Sequence, residues 1–277
     1  MTTSVLVEGL AFAEGPRWRG DRLWFSDVPA GEVHSVGLDG GRQVVASIDG
    51  APSGLGWLTD GTLLVARGMP AAVMAVSPSG EVSRYADLSG VASHPPNDML
   101  VDPDGTVWLG TCDIGGIPTP VATQLICVDP DGTVSVADAH MRFPNGTVRT
   151  PDGRTLIVAE TFGAGLQAFT IEHGRAGSKR QWAEVPGSYP DGICLDAEGA
   201  VWFADAIGQA AVRVREGGEV VDRVEVGQGC YACTLGGPDL RTLFLCTGQF
   251  GPPEQSLANR IGRIETVIVE VPGSGSP

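Results

Sequence analysis

The sequence predicts an all-β chain folded as a six-bladed propeller. Two observations carry this. One motif recurs six times at intervals of roughly 40 to 48 residues, the period of a propeller blade rather than of a helical solenoid. Each copy is also built from short runs rich in β-branched and aromatic residues behind turn dipeptides, and no long amphipathic helix is visible. The 40 Gly and 20 Pro of the 277 residues lie along the whole length, as many turns require. The propeller is expected to span residues 1–272, with 273–277 as a flexible tail.

The copies follow one another in order. The first is "EGPRWRGDRLWFSD", continued by "EVHSVGL"; the second is "SGLGWLTDGTLLVAR", continued by "AVMAVSP". The third, "NDMLVDPDGTVWLGT", runs on into "QLICVDP", and the fourth, "NGTVRTPDGRTLIVAE", into "GLQAFTI". The fifth, "DGICLDAEGAVWFAD", is followed by "AVRVRE", and the sixth is the looser "YACTLGGPDLRTLFLCT". Closing the ring hides the sheet edges that would otherwise invite aggregation. "SVLVE" near the start is therefore expected to pair beside "TVIVEV" near the end. Trp24, Trp108 and Trp202 recur at strand-core positions and are expected to pack. Asp27 and Asp205 end strands and are expected to tie down blade turns.

Composition narrows function. A formal net charge of −15 argues against a nucleic-acid partner, which needs a basic surface, and fits an acidic cleft that holds a cation. No apolar run approaches a membrane span, and the N-terminal stretch has no basic leader. The six cysteines follow no disulfide-scaffold spacing, and Cys230–Cys233 is a lone C-x-x-C without a second pair. A reducing, cytoplasmic setting follows as the expectation. Oligomeric state is left open.

Equivalent positions in each blade of a propeller meet at one end of the central channel. The residues that open the copies are Glu14, Ser53, Asn97, Asn145, Asp191 and Tyr231. Two carboxylates and two amides on one ring form a hard-oxygen site. Carboxylates crowded together and stripped of water are costly without a partner. A divalent cation removes that cost; Ca²⁺ suits the donors first, with Mg²⁺, Mn²⁺ and Zn²⁺ compatible. His94 lies three residues before Asn97 on a Pro-stiffened loop and is expected near the mouth. Tyr231 is expected either to wall the pocket or to pack in the core.

Four motifs in order resemble the senescence marker protein/gluconolactonase/luciferin-regenerating enzyme family, over nearly the whole chain. "AEGPRW" resembles the family's metal-Glu motif and implies Glu14 as a ligand; "FPNGTVRTPDGRTLIVAET" implies Asn145 and "YPDGICLDAEGAVWFAD" implies Asp191. "PPNDMLVDPDGTVWLGT" resembles the blade whose Asn contacts substrate, here Asn97. The resemblance implies a metal-dependent lactonase in which Asp191 doubles as general base toward water. One departure stands out: sugar-lactonase members carry Arg two residues before the substrate Asn, where this chain has Pro95. Pro offers none of the donors of Arg, so a smaller or more apolar lactone or ester fits at least as well as a hydroxyl-rich aldonolactone. A phosphotriesterase or esterase on the same scaffold, or a non-enzymatic ligand-binding propeller, remains open. No G-x-S-x-G elbow supports a serine triad.

Overall fold

The structure is a computed structural model that describes residues 2–113, 121–163 and 165–275. Six four-stranded antiparallel sheets stand around one axis. In each of the first five blades the chain runs outward through four consecutive strands, starting at the inner strands Ala13–Arg19, Pro52–Trp57, Pro96–Val101, Pro144–Arg149 and Pro190–Leu195. The sixth blade combines both chain ends. Gly229–Gly236, Thr242–Gly248 and Gly262–Ile268 receive Ser4–Leu10 as their outermost strand, with Ser4 opposite Thr266 and Leu10 opposite Gly262. The expected closure is therefore present.

The sheets pack through separate apolar cores between neighbouring blades rather than one common core. Val33, Leu55, Leu63 and Val65 join blades 1 and 2; Val148, Leu166, Ile193 and Phe203 join blades 4 and 5. Leu10, Phe25, Phe244 and Ile264 join blade 6 to blade 1, where Trp18 stacks on Phe244 at 5.4 Å. The strand-core tryptophans do pack: Trp108 and Trp202 are fully buried, and Trp24 meets Trp57 edge-on at 5.3 Å. Trp108 also donates its indole N–H to Asp102 at 2.8 Å.

Two features of the inner strands build the site. Four of the six begin with proline, tolerated at a first strand position where no ladder donor is needed. All six break register at the site residue, between Glu14 and Arg17, Pro52 and Leu55, Pro96 and Met99, Pro144 and Thr147, Pro190 and Ile193, and Cys230 and Ala232. Such bulges re-aim side chains out of the alternating pattern of a ladder. In blades 1, 4 and 5 an acidic residue at the end of the second strand then fixes the approach to the bulge. Asp27 accepts from the amides of Ala11 and Phe12, Glu160 from that of Arg142, and Asp205 from that of Tyr189.

Among the described residues helix is confined to a seven-residue segment, Pro253–Asn259, and one 3₁₀ turn, Val28–Ala30, on the end of the propeller where the inner strands begin. Past the last strand the chain turns back onto blade 5. Ala197 donates to the Pro272 carbonyl at 2.8 Å and Ser274 to that of Leu195 at 3.0 Å, so Gly273 and Ser274, expected in a free tail, are hydrogen-bonded.

Candidate active site

At the end of the channel where the inner strands begin, side chains link blade to blade. The Ser26 hydroxyl donates to the Ser53 carbonyl at 2.7 Å, and the Ser53 hydroxyl to the Asn97 carbonyl at 2.7 Å. The Asn97 amide donates to Asn145 Oδ1 at 3.2 Å. Asn145 Nδ2 donates to Thr161 Oγ1 at 3.2 Å, and the Thr161 hydroxyl donates to the Pro190 carbonyl at 2.8 Å. The chain of bonds ends one residue short of Asp191.

Glu14 and Asp191 stand on the remaining arc. Both are buried, with relative exposures of 7% each, and Asn145 is at 1%. Asp191 Oδ1 is buried and has no hydrogen-bond partner. Burial, then the charges of Asp191 and Asp98, hold the Glu14 carboxyl well above the usual carboxylate range, against the Gly15 amide and Arg17. Burial, then Asp98, does the same to Asp191, opposed by hydrogen bonds from Asn145 and the Gly192 amide. Two buried carboxylates whose proton affinities are both raised by burial and by neighbouring negative charge, one of them with an orphan oxygen, are a site suited to a cation.

The residues present fit a hard divalent cation. Glu14, Asp191 and the second lone pair of Asn145 Oδ1 supply oxygen donors. Among the described residues no three His, Cys, Asp or Glu converge closely enough to hold an ion by themselves. The amide of Asn145 is therefore needed to complete the donor set. All six cysteines are free and buried; burial, then Asp191, Glu14 and Asp113, push the nearby Cys112 thiol up to about 12, so it is inert. Cys230, beside the channel, is likewise held well above its ordinary value, chiefly by burial.

Repeat position groups Glu14, Asn97, Asn145 and Asp191 at one register, but it leaves out two others that the structure places beside them. Asp98 and Arg17 are each 4% exposed and form an ion pair at 3.1 Å that links blade 3 to blade 1. The signal was present in the repeat register. The residue after each site residue is Gly15, Gly54, Gly146, Gly192 and Ala232 in five blades, and Asp98 in the third.

Apolar side chains flank the entrance. Phe12 lies 4.7 Å from Tyr231 and 6.0 Å from the exposed Phe250, whose amide donates to the Tyr231 hydroxyl at 3.1 Å. Phe162 lies 5.6 Å from Phe143 and 6.4 Å from Tyr189. Phe12, Phe143 and Tyr189 each precede a site residue by two positions, so both clusters sit just outside the carboxylates. Tyr231 is raised first by its burial, then by Asp191 and Glu14, which places its ring within their field. His94 is tied to its own loop through Ser93 Oγ at 2.9 Å, and Ser93 in turn donates to Gln124.

Comparison with known proteins bears on this geometry. Residues 12–249 match the SMP-30/Gluconolactonase/LRE-like region. A pentonolactonase of Haloferax volcanii is 26% identical over 98% of this chain and 95% of its own length. A 6-deoxy-6-sulfogluconolactonase of Pseudomonas putida is 26% identical over 99% and 96%. In architecture, the calcium-binding protein regucalcin from Agrobacterium tumefaciens superposes with a TM-score of 0.85 at 22% identity, covering 100% of this chain and 96% of that one. A luciferin-regenerating enzyme superposes with a TM-score of 0.84 at 19% identity, covering 99% and 98%. By the span of the family match, the chain belongs to the SMP-30/gluconolactonase/LRE-like family.

Proposed function

We propose that this protein is a metal-dependent hydrolase that opens a lactone or related ester ring at the Glu14–Asn145–Asp191 arc. The observation that carries the reading is the buried Asp191 Oδ1, which lacks a partner beside a second buried carboxylate. The names of the lactonase relatives supply the reaction class. A bound divalent cation, Ca²⁺ by the donor chemistry, would polarise the ester carbonyl and acidify water. The chain's own residues do the rest. Glu14 and the Asn145 amide oxygen hold the ion's position. Asp191 takes a proton from the attacking water, as a carboxylate held beside the bound ion can. Asn97, whose Nδ2 now donates to Asn145, turns a donor toward the ring or carbonyl oxygen of the substrate. Tyr231 and Phe12 wall the pocket beside the reacting group, and His94 contacts the outer part of the substrate.

The substrate class follows from Pro95 and the entrance. Pro95 stands where the family's sugar lactonases carry Arg, and aromatic rings flank the carboxylates in place of donors. A lactone with an apolar face fits this lining better than a polyhydroxylated one. Six free thiols agree with a cytoplasmic setting.

Proton release from a panel of alkyl-substituted lactones, sugar lactones, aryl esters and phosphotriesters, with and without chelator, tests the proposal. Chelator-sensitive turnover with alkyl-substituted lactones leading the panel is expected. Phosphotriesters or aryl esters leading would shift the reaction class, and turnover indifferent to chelator would overturn the metal.

A further inference from the structure

Asp98 is the one carboxylate among the six positions that follow a site residue; the other five are glycine or alanine. Those positions are small because neighbouring inner strands close on them. A Cβ on Gly54 would lie 2.3 Å from the Met99 amide nitrogen, and one on Gly192 2.7 Å from Ala232 Cα. Asp98, 4% exposed and with its backbone against Gly54 of the neighbouring inner strand, brings a third carboxylate to the axis beside Glu14 and Asp191.

Arg17 answers it from the opposite strand. Its guanidinium donates to Asp98 Oδ1 and to the carbonyls of Met99 and Pro16. It leaves Nε buried and unpartnered. Three acceptors on two blades fix the fork in a way that a flexible lysine would not. Screening by salt is weak at such depth, so the pair's charges act on the site.

We infer that Arg17 is a fixed internal counter-ion: by neutralising Asp98 it holds the cation site at the charge of two carboxylates instead of three and so matches it to a divalent ion. This rests on the proposed cation site at Glu14, Asn145 and Asp191. A purely structural staple would tie blade 1 to blade 3 without tuning charge. The two roles separate because an electrostatic effect scales with the charge of the ion bound.

The test uses chelator-stripped full-length protein, titrated calorimetrically with Ca²⁺ and with trivalent La³⁺. Asp98→Asn leaves Arg17 positive and unbalanced. It is expected to weaken Ca²⁺ binding by about 10–100-fold and La³⁺ binding by more, the logarithms of the two losses standing near 2:3. The double variant Arg17→Met/Asp98→Asn removes both charges and avoids stranding either one in the interior. It is expected to return both affinities to within about threefold of wild type, since the site's net charge is restored. Equal losses for both ions in Asp98→Asn, no loss at all, or a double variant as weak as the single one would overturn the counter-ion role while leaving the cation site standing. Failure of the wild type to bind either ion would overturn the site and this role with it.

Discussion

Gly146→Ala should damage the site without touching a functional atom. Gly146 follows Asn145, and a Cβ there would lie 2.4 Å from the Ile193 amide nitrogen, 2.6 Å from the Asp191 carbonyl oxygen and 2.8 Å from Gly192 Cα. All three are backbone atoms of the neighbouring blade, so no side chain can swing aside. Blades 4 and 5 must separate at the axis, and Asn145 must move away from Asp191. Overpacking of this kind costs about 1–3 kcal/mol. At about 2.1 cal/mol/K of unfolding entropy per residue, a chain of this length should lose about 2–5 °C of Tm. Gly90→Ala is the control: a Cβ there meets nothing within 4 Å, so its Tm should hold or rise slightly. Differential scanning calorimetry gives the first readout and Ca²⁺ titration the second. Gly146→Ala should bind at least about tenfold more weakly, whereas Gly90→Ala should match wild type; a loss of 1.4 kcal/mol corresponds to that factor. A Gly146→Ala protein with unchanged Tm and unchanged affinity would refute the idea that close inner-strand contact assembles the donors.

Other outcomes follow from the same geometry. Asp191→Asn keeps an oxygen but loses charge and basicity, so at saturating cation kcat should fall by about 10²–10⁴; wild-type turnover in a fully loaded variant would remove Asp191 as base. Asn97→Ala should leave cation affinity nearly intact and act on kcat or KM, because the Asn97 side chain reaches the proposed ligands by donating to Asn145; a large loss of affinity would make it a ligand. His34 is buried, stacked on Phe25 at 5.3 Å, and its proton affinity is lowered chiefly by burial and by Arg42, against the pull of Glu32. The unfolded chain then binds a proton that the folded one refuses, so this contribution to stability is present above the unfolded value near about 6.5 and is lost as pH falls through the lower folded value. Between pH 7.5 and 5.5 the wild type should lose more Tm than His34→Gln does, and equal losses would contradict the assignment.

The blades were legible because each repeat carries its own turn dipeptide and its own alternating strand, signals that survive without tertiary knowledge. The candidate site was legible for a different reason. Glu14, Asn97, Asn145 and Asp191 are polar residues recurring at one register of an otherwise apolar pattern, and a closed ring converts equal register into proximity. Repeat register singles out Asp98, where the other blades carry glycine or alanine, but not its partner: Arg17 lies at an unequal register of a non-adjacent blade, and no local spacing encodes that contact across the channel. The six bulges escaped too, since one extra residue per ladder becomes visible only when partners are known. The short helix Pro253–Asn259 has no apolar periodicity to announce it; among its residues only Ser256 is buried.

Titrating chelator-stripped protein with Ca²⁺ while following both binding and hydrolysis of an alkyl-substituted lactone tests the central claim most directly. Rate and occupancy should rise together and saturate at one equivalent per chain, and Glu14→Gln should shift both curves to higher Ca²⁺ in parallel. Full activity before any ion is added, or one bound equivalent that leaves the rate unchanged, would contradict hydrolysis at the Glu14–Asn145–Asp191 arc.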